Sequence, residues 1–363
     1  MNLLFVFGTR PEAIKLCPLV LHLKKKANVK VCITGQHKEL IEPILTLFQI
    51  TPDYDLALLQ PNQTLSDLSA RCIQAITKIY QDAPPDCVIV QGDTTTSFCA
   101  ALAAFYQKIP VAHVEAGLRT YELYSPFPEE INRQLTSRIA HFHFVPTKQN
   151  KKNLISEGCD PEKIFITGNT GIDALQWVLK HHPVSIDRVL NMDLTHKKLI
   201  LVTGHRREHF GEPFERLCYG IKKITETFQD VVIVYPVHLN PNVQKPVLDI
   251  LSGHDNIKLI APQEYPQFVS LMAKASLILT DSGGVQEEAP SLHVPILVMR
   301  DTTERQEVIE QGFGFLVGTD PEKMLNFTRR CLLEKNFYQP SSVNPYGDGA
   351  ASEKIATILE SRI

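Results

Sequence analysis

The sequence predicts an α/β protein of two doubly wound, Rossmann-like domains. Three observations carry that expectation: short apolar runs that do not alternate, helical patterning after most of them, and a charged, weakly patterned stretch at 180–198 between two such series. Strands covered by helices on both faces need apolar side chains on both, so DCVIVQ at 86–91 lacks the period of two of a half-exposed strand. Length agrees, because 363 residues exceed what one hydrophobic centre usually organises. The expected boundaries are 1–170 for the first domain, 171–345 for the second, and 346–363 for a C-terminal helical segment able to pack back on the first.

In the first domain NLLFVF at 2–7 is a strand broken by Gly8. Pro11 then suits the opening turn of a helix, where its fixed φ is helical and its missing N–H is not needed. Ile14, Leu16, Leu19, Val20 and Leu23 give that helix an apolar face. Further strands are expected near 29–34, 86–91, 110–114, 142–145 and 164–166, with helices near 37–48, 64–81, 94–107, 130–139 and 147–156. The second domain repeats the plan with strands at 199–203, 230–236, 256–260, 275–280, 295–299 and 314–318, and SEKIATILESRI at 352–363 reads as a short amphipathic helix.

Composition narrows the function classes. Apolar residues make up 44% and charged residues 21%, with 18 Gly and 24 Pro, which is neither fibrous nor disordered. A formal charge of −3 supplies no broad basic face, so no nucleic-acid partner is expected, while a local basic pocket for a small phosphorylated ligand is compatible with it. The eight cysteines stand singly, without CxxC or metal-ligand spacing, as small buried hydrophobes of a reducing cytoplasm do. No run of about 20 apolar residues is available to cross a membrane. MNLLFVFGTRPE begins a strand at once, so no signal peptide is expected.

In an open parallel sheet, ligands gather beyond the carboxyl ends of the strands. GTRPEAIK at 8–15 places a tight-turn glycine, the forked cation Arg10 and then Lys15 there, where a phosphate or carboxylate can rest. QGDTTTSFCAALAA at 91–104 sets Asp93 between strand and helix, either to cap the helix or to project into a cleft. HVEAGLRT at 113–120 puts Glu115 directly beyond a strand, beside Gly117 and Arg119. SPFPEEINRQLTSRIA at 125–140 aligns Glu129 and Arg133 on one helical face and turns Glu130 away from it.

From the second domain come GHRREHFG at 204–211, with His205 and Arg206 next to a strand and His209 farther out, and YPVHLNP at 235–241 with His238. These histidines lack a compact set of further ligands, so no metal is expected. TDSGGVQEEAP at 280–290 exposes backbone N–H groups at Ser282, Gly283 and Gly284 in a way that suits a diphosphate, with Glu287 and Glu288 placed to hold ribose hydroxyls. RDTTERQE at 300–307 adds Arg305 and Glu307. A GxGxxG fingerprint is missing, which argues against a redox enzyme using NAD.

Taken together these motifs resemble one family, the non-hydrolysing UDP-N-acetylglucosamine 2-epimerases of bacteria, whose two domains are similar to the glycosyltransferase-B fold. GTRPEAIK, QGDTTT, HVEAGLRT, PFPEEINR, GNTGID at 168–173, GHRRE, SGGVQEEAP, RDTTER and NPYGDG at 344–349 follow family order along nearly the whole chain. The resemblance implies that Asp93, Glu115, Glu129 and His205 are catalytic and surround the sugar together with Arg10, with Lys15, Arg133 and His238 in the same cleft. It implies that Ser282, Gly283 and Glu288 bind the nucleotide, with Arg305 close by. It also implies a cytoplasmic homodimer that takes a UDP-sugar, uses no cofactor, and closes one domain over the other. The chain departs from the family pattern at Pro43, Asn62, His209 and His293, and the first two lead us to expect that a regulatory nucleotide-sugar pocket is altered or absent.

The chemistry implied accounts for the acids. Carbon 2 of the sugar adjoins no carbonyl, so its proton is removable only if the bond from carbon 1 to the diphosphate loosens, giving a 2-acetamidoglucal and UDP. One carboxylate then serves as base, another returns a proton from the opposite face, and a third orients a hydroxyl or braces its neighbour. The nearest alternative is a hydrolysing relative acting on UDP-N-acetylglucosamine or UDP-N,N'-diacetylbacillosamine, which releases UDP and the free manno sugar. A glycosyltransferase and a UDP-sugar binding module are the other classes weighed.

Overall fold

The computed structural model describes every residue except Gln36, His37, Pro61 and Ser342, with Lys38 described by its backbone alone. His37, the expected first residue of the helix at 37–48, therefore lies outside the described residues. The chain divides into two compact units, Met1–Ala174 with Tyr346–Ile363, and Leu175–Pro345.

The first unit runs β1 (Asn2–Phe7), α1 (Arg10–Leu23), β2 (Asn28–Ile33), α2 (Lys38–Leu47), β3 (Tyr54–Asp55), α3 (Leu65–Asp82), β4 (Cys87–Gln91) and α4 (Thr95–Tyr106). It continues with β5 (Val111–Val114), α5 (Glu129–Ile139), β6 (Phe142–Val145), α6 (Lys148–Ser156), β7 (Ile164–Ile166) and α7 (Thr170–His181). Its strands form one sheet in the order β3-β2-β1-β4-β5-β6-β7, with every pairing parallel. Leu3 through Phe7 are all buried, as a strand sandwiched between two helical layers requires. The α3 face formed by Leu68, Cys72, Ile76, Ile79 and Tyr80 packs with Ala100, Ala101, Ala103 and Ala104 of α4 in one core, the small side chains permitting close approach. β3 was not expected; two residues are too few to show a period.

The second unit carries α8 (Ile186–Leu190), β8 (Lys198–Thr203), α9 (Glu212–Thr227), β9 (Val231–Pro236), α10 (Pro241–Leu251), β10 (Ile257–Ile260) and α11 (Tyr265–Lys274). β11 (Leu277–Thr280), α12 (Gly283–Glu288), β12 (Ile296–Val298), α13 (Gln306–Glu310), β13 (Gly314–Leu316) and α14 (Pro321–Leu333) complete it. The sheet order is β10-β9-β8-β11-β12-β13, again all parallel. α9 and α14 sit so close that a Cβ at Gly220 would fall 2.8 Å from Met324 Sδ.

The chain leaves the first unit inside α7, a helix absent from the sequence expectation for that stretch, and α15 (Ala351–Arg362) returns to pack on α1. Two of the motif segments meet at this return. Asp173 accepts the N–H groups of Ala351 (3.2 Å) and Ser352 (2.7 Å), satisfying donors that open α15, while Asn169 N–H donates to the Tyr346 carbonyl at 2.7 Å. A Cβ at Gly168 would meet the Tyr346 oxygen at 3.0 Å and Gly347 Cα at 3.2 Å, so glycine is needed for the crossing. All eight cysteines are free thiols. Among the described residues no helix is long and apolar enough to cross a membrane.

Candidate active site

At the carboxyl edge of the first sheet, strand order reverses between β1 and β4, and one buried acid spans that point. The Glu12 carboxylate accepts hydrogen bonds from Gly8 N–H (3.0 Å), Thr9 N–H (2.8 Å), the Thr9 hydroxyl (2.8 Å) and the Thr94 hydroxyl (2.8 Å). It therefore ties the loop after β1 to the loop after β4. Burial pushes its carboxyl up to about 7, against the lowering effect of the bonds from Thr9, Thr94 and Gly8. Glu12 was not singled out from the sequence, although Thr9 and Glu12 have the spacing of a capping box.

Glu115 follows β5 with φ +61°, a left-handed conformation that a glutamate adopts only when its surroundings impose it. Its Oε2 accepts from Lys15 Nζ at 2.5 Å, Gln91 Nε2 at 3.0 Å and Asn169 Nδ2 at 3.2 Å. The carboxylate expected to rest against Lys15 is thus, in this structure, the protein's own. Gln91 and Asn169 join the site as residues that sequence reasoning did not find.

Asp93 lies in the loop between β4 and α4. Thr94, whose hydroxyl accepts Ser97 N–H, caps α4, so the capping alternative for Asp93 is excluded. The Asp93 carboxylate instead pairs with Arg133 Nη2 at 3.1 Å, and its carbonyl accepts Asn132 Nδ2 at 3.0 Å. The expectation for α5 needs correction. Glu130 is not turned away: it is fully buried, accepts Thr120 N–H, Tyr121 N–H and Gln134 Nε2, and lies 3.6 Å from Arg133 Nη1. Burial alone would raise its carboxyl, but these donors and the Arg133 charge hold it below the ordinary glutamate value. Glu129, which opens α5 and is half-buried, has no ion-pair partner among the described residues. Arg10 is half-buried at the first turn of α1. Arg119 is structural, held by Glu157 at 2.7 and 2.9 Å and by the Ser137 hydroxyl at 3.0 Å.

The second sheet reverses its order between β8 and β11, and there too a buried carboxylate bridges. Asp281, directly after β11, accepts the N–H groups of His205 and Arg206, both at 2.8 Å, from the loop after β8. His205 Nδ1 lies 3.6 Å from Asp281 Oδ1, and the ring stacks on His238 with centroids 5.2 Å apart and planes 9° apart. Burial lowers the His205 pKa; Asp281 opposes the shift, and His238 and Arg206 add to it. His209, expected farther out, is buried beside the same acid, Nδ1 at 3.8 Å from Asp281 Oδ2, because Arg207–His209 form one 3-10 turn that folds back.

Ser282 starts α12, and a Cβ on Gly283 would fall 2.7–2.9 Å from the Arg305 guanidinium, which packs across it. Arg305 is paired with Glu287 at 2.9 Å and Glu304 at 3.4 Å, so Glu287 is a partner for that cation and Glu288 accepts the Tyr265 hydroxyl at 3.2 Å. Among the described residues no group of three or more His, Cys, Asp and Glu is placed to hold a metal ion. Within the first unit the fold brings Lys15 to Glu115 and Asp93 to Arg133. Within the second it brings His205 to His238 and Gly283 to Arg305.

Two open parallel sheets, each with its polar loops gathered where strand order reverses, define a protein of two Rossmann-like α/β domains. A family model described as UDP-N-acetylglucosamine 2-epimerase matches residues 20–360. The chain belongs to that family. It is 52% identical over 378 residues to a UDP-N-acetylglucosamine 2-epimerase of Salmonella typhimurium, covering 99% of each chain. The crystal structure of the Neisseria meningitidis UDP-GlcNAc 2-epimerase bound to UDP-GlcNAc is 47% identical, with a TM-score of 0.93 over 100% of both chains. The Methanocaldococcus jannaschii enzyme in complex with UDP-GlcNAc and UDP is 36% identical with a TM-score of 0.83, covering 99% of this chain and 100% of that one.

Proposed function

We propose that this chain is a non-hydrolysing UDP-N-acetylglucosamine 2-epimerase, interconverting UDP-N-acetylglucosamine and UDP-N-acetylmannosamine. It does so by eliminating UDP to give a 2-acetamidoglucal and adding UDP back. The observation that carries this reading is the set of acids at the carboxyl edge of the first sheet, Asp93 against Arg133 and Glu115 against Lys15, in a chain 52% identical to an epimerase of that name.

In the forward step a base takes the carbon 2 proton while the electron pair forms the double bond to carbon 1 and the carbon 1–oxygen bond breaks, its electrons leaving with UDP. In the return step an acid on the opposite face protonates carbon 2 and a diphosphate oxygen closes on carbon 1. Asp93, Glu115 and Glu129 share the tasks of base, acid and brace. His205 and Arg10 stabilise charge on the departing diphosphate, an interaction strongest in the transition state. Lys15 and Arg133 hold the acids, His238 backs His205, and Ser282, Gly283 and Glu288, with Arg305 behind them, receive the nucleotide.

The proposal includes a glycosyltransferase-B type of arrangement and a homodimer, which light scattering at micromolar concentration tests. The experiment for the activity is product analysis by NMR after incubation with UDP-N-acetylglucosamine. UDP-N-acetylmannosamine in equilibrium with substrate is the expected result. Steady accumulation of free N-acetylmannosamine and UDP contradicts it and identifies a hydrolysing enzyme.

A further inference from the structure

We infer that Asp281 is a positioning residue for this reaction, holding the His205 ring by Nδ1 so that Nε2 is the nitrogen offered to the substrate's diphosphate. The inference rests on the role given to His205 above. Asp281 is fully buried, and its two oxygens are used unequally. Oδ2 accepts the main-chain N–H groups of residues 205 and 206, both at 2.8 Å, which fixes the carboxylate relative to the histidine's own backbone. Oδ1 has no hydrogen-bond partner among the described residues, and His205 Nδ1 stands 3.6 Å from it.

A buried carboxylate oxygen without a donor is costly, and the imidazole is placed to relieve it. A ring movement of less than about 1 Å brings Nδ1 into hydrogen-bonding range. Proton-transfer geometry is commonly this loose before a substrate tightens it. The neighbours constrain the ring in the same sense. His238 stacks nearly parallel on it, 9° between planes, and its own Nδ1 accepts Asn240 N–H at 3.1 Å, which makes Nε2 the donor nitrogen of that second ring. His209 Nδ1, at 3.8 Å from Oδ2, has no hydrogen-bond partner either and does not compete for Oδ1. Of the groups that act on His205, burial, His238 and Arg206 disfavour its charged form, and Asp281 favours it. Asp281 thus orients the ring through one oxygen and favours its imidazolium form, in which Nδ1–H is held by Asp281 and Nε2–H donates to the diphosphate on which charge develops.

The alternative is that Asp281 only staples two loops. Asp281→Asn separates the two roles, because the amide oxygen still accepts both main-chain N–H groups while the carboxylate charge and the second acceptor are lost. The inference predicts a kcat about 100-fold lower with KM within about threefold of wild type, in the range of losing one donor aimed at a developing anion. It also predicts that Asp281→Asn combined with His205→Ala is no slower than His205→Ala alone. Wild-type kcat in Asp281→Asn overturns the inference, as does a loss that multiplies the His205→Ala deficit. Wild-type kcat in His205→Ala sinks the role of His205 itself, and with it the inference. Should Asp281→Asn not fold, nitrogen NMR of the histidine-labelled wild-type chain with UDP decides: a proton on His205 Nδ1 is expected, and a neutral ring protonated only on Nε2 refutes the positioning role.

Discussion

The two carboxyl edges solve the same problem differently. Each has a fully buried carboxylate spanning the point where strand order reverses, Glu12 in the first unit and Asp281 in the second. Around Glu12 the polar side chains are set charge against charge: Lys15 with Glu115, Arg133 with Asp93 and Glu130. Around Asp281 the hydrogen-bond donors are main-chain N–H groups, the His205 and His209 imidazoles stand 3.6 and 3.8 Å off, the His205 side chain keeps 45% of its surface exposed, and a Cβ at Gly284 would meet nothing within 4 Å among the described residues. On the proposed function, the contrast assigns proton transfer to the first edge and the holding of the nucleotide to the second. Acids clamped by cations keep their geometry through a reaction cycle, whereas open backbone and a half-free ring leave room for a nucleotide.

The largest effect that tests this contrast comes from the acids. Asp93→Asn, Glu115→Gln and Glu129→Gln are each expected to lower kcat by about 10²–10⁴-fold while UDP affinity by calorimetry stays within about threefold. A matching loss of UDP affinity erases the division between the edges. Next is Lys15→Met, which takes the ammonium from Glu115 Oε2; kcat is expected to fall about 100-fold, again with UDP binding preserved. Gly283→Ala should do the reverse. Its methyl would fall 2.7–2.9 Å from the Arg305 guanidinium and push it aside, so UDP affinity is expected to weaken about tenfold and kcat to change less than threefold.

The smallest effect on rate, and the one that sharpens the role of Glu12, is a pH effect on stability. Its folded-state carboxyl is raised to about 7 from an ordinary 4.5, so between those values the folded state binds the proton that the unfolded state has lost. The contribution to stability is full below pH about 4.5 and falls as pH rises to about 7, by at most about 3 kcal/mol. Glu12→Gln removes that slope, and its urea midpoint should gain on wild type across the window. The comparison must be made as a difference between the two proteins. His113, lowered to about 3 chiefly by burial, and His143, lowered to about 4 for the same reason, impose an opposite slope on both, losing stability as pH falls below about 6.5.

Much of this was legible in the sequence because strand ends and loop chemistry are local. β1, β4 and the polar segments after them follow from apolar runs stopped by Gly8 and Gly92. The partners were not legible, because they are far apart in the chain: Glu115 gathers Lys15, Gln91 and Asn169 across 100, 24 and 54 residues. Helix geometry allows Arg133 to meet either Glu129 or Glu130. The choice is made by Thr120 and Tyr121, whose N–H groups draw Glu130 inward. Asp281 stayed hidden for a similar reason, since its bonds go to main-chain groups 75 and 76 residues away that no side-chain pattern reveals.

The most direct measurement is deuterium incorporation at carbon 2, followed by NMR while the purified protein turns over UDP-N-acetylglucosamine in deuterated water. Wild type is expected to label both the recovered substrate and its epimer, and the Asp93, Glu115 and Glu129 variants to label slowly while still binding UDP. Epimerisation with carbon 2 left fully protonated contradicts the account.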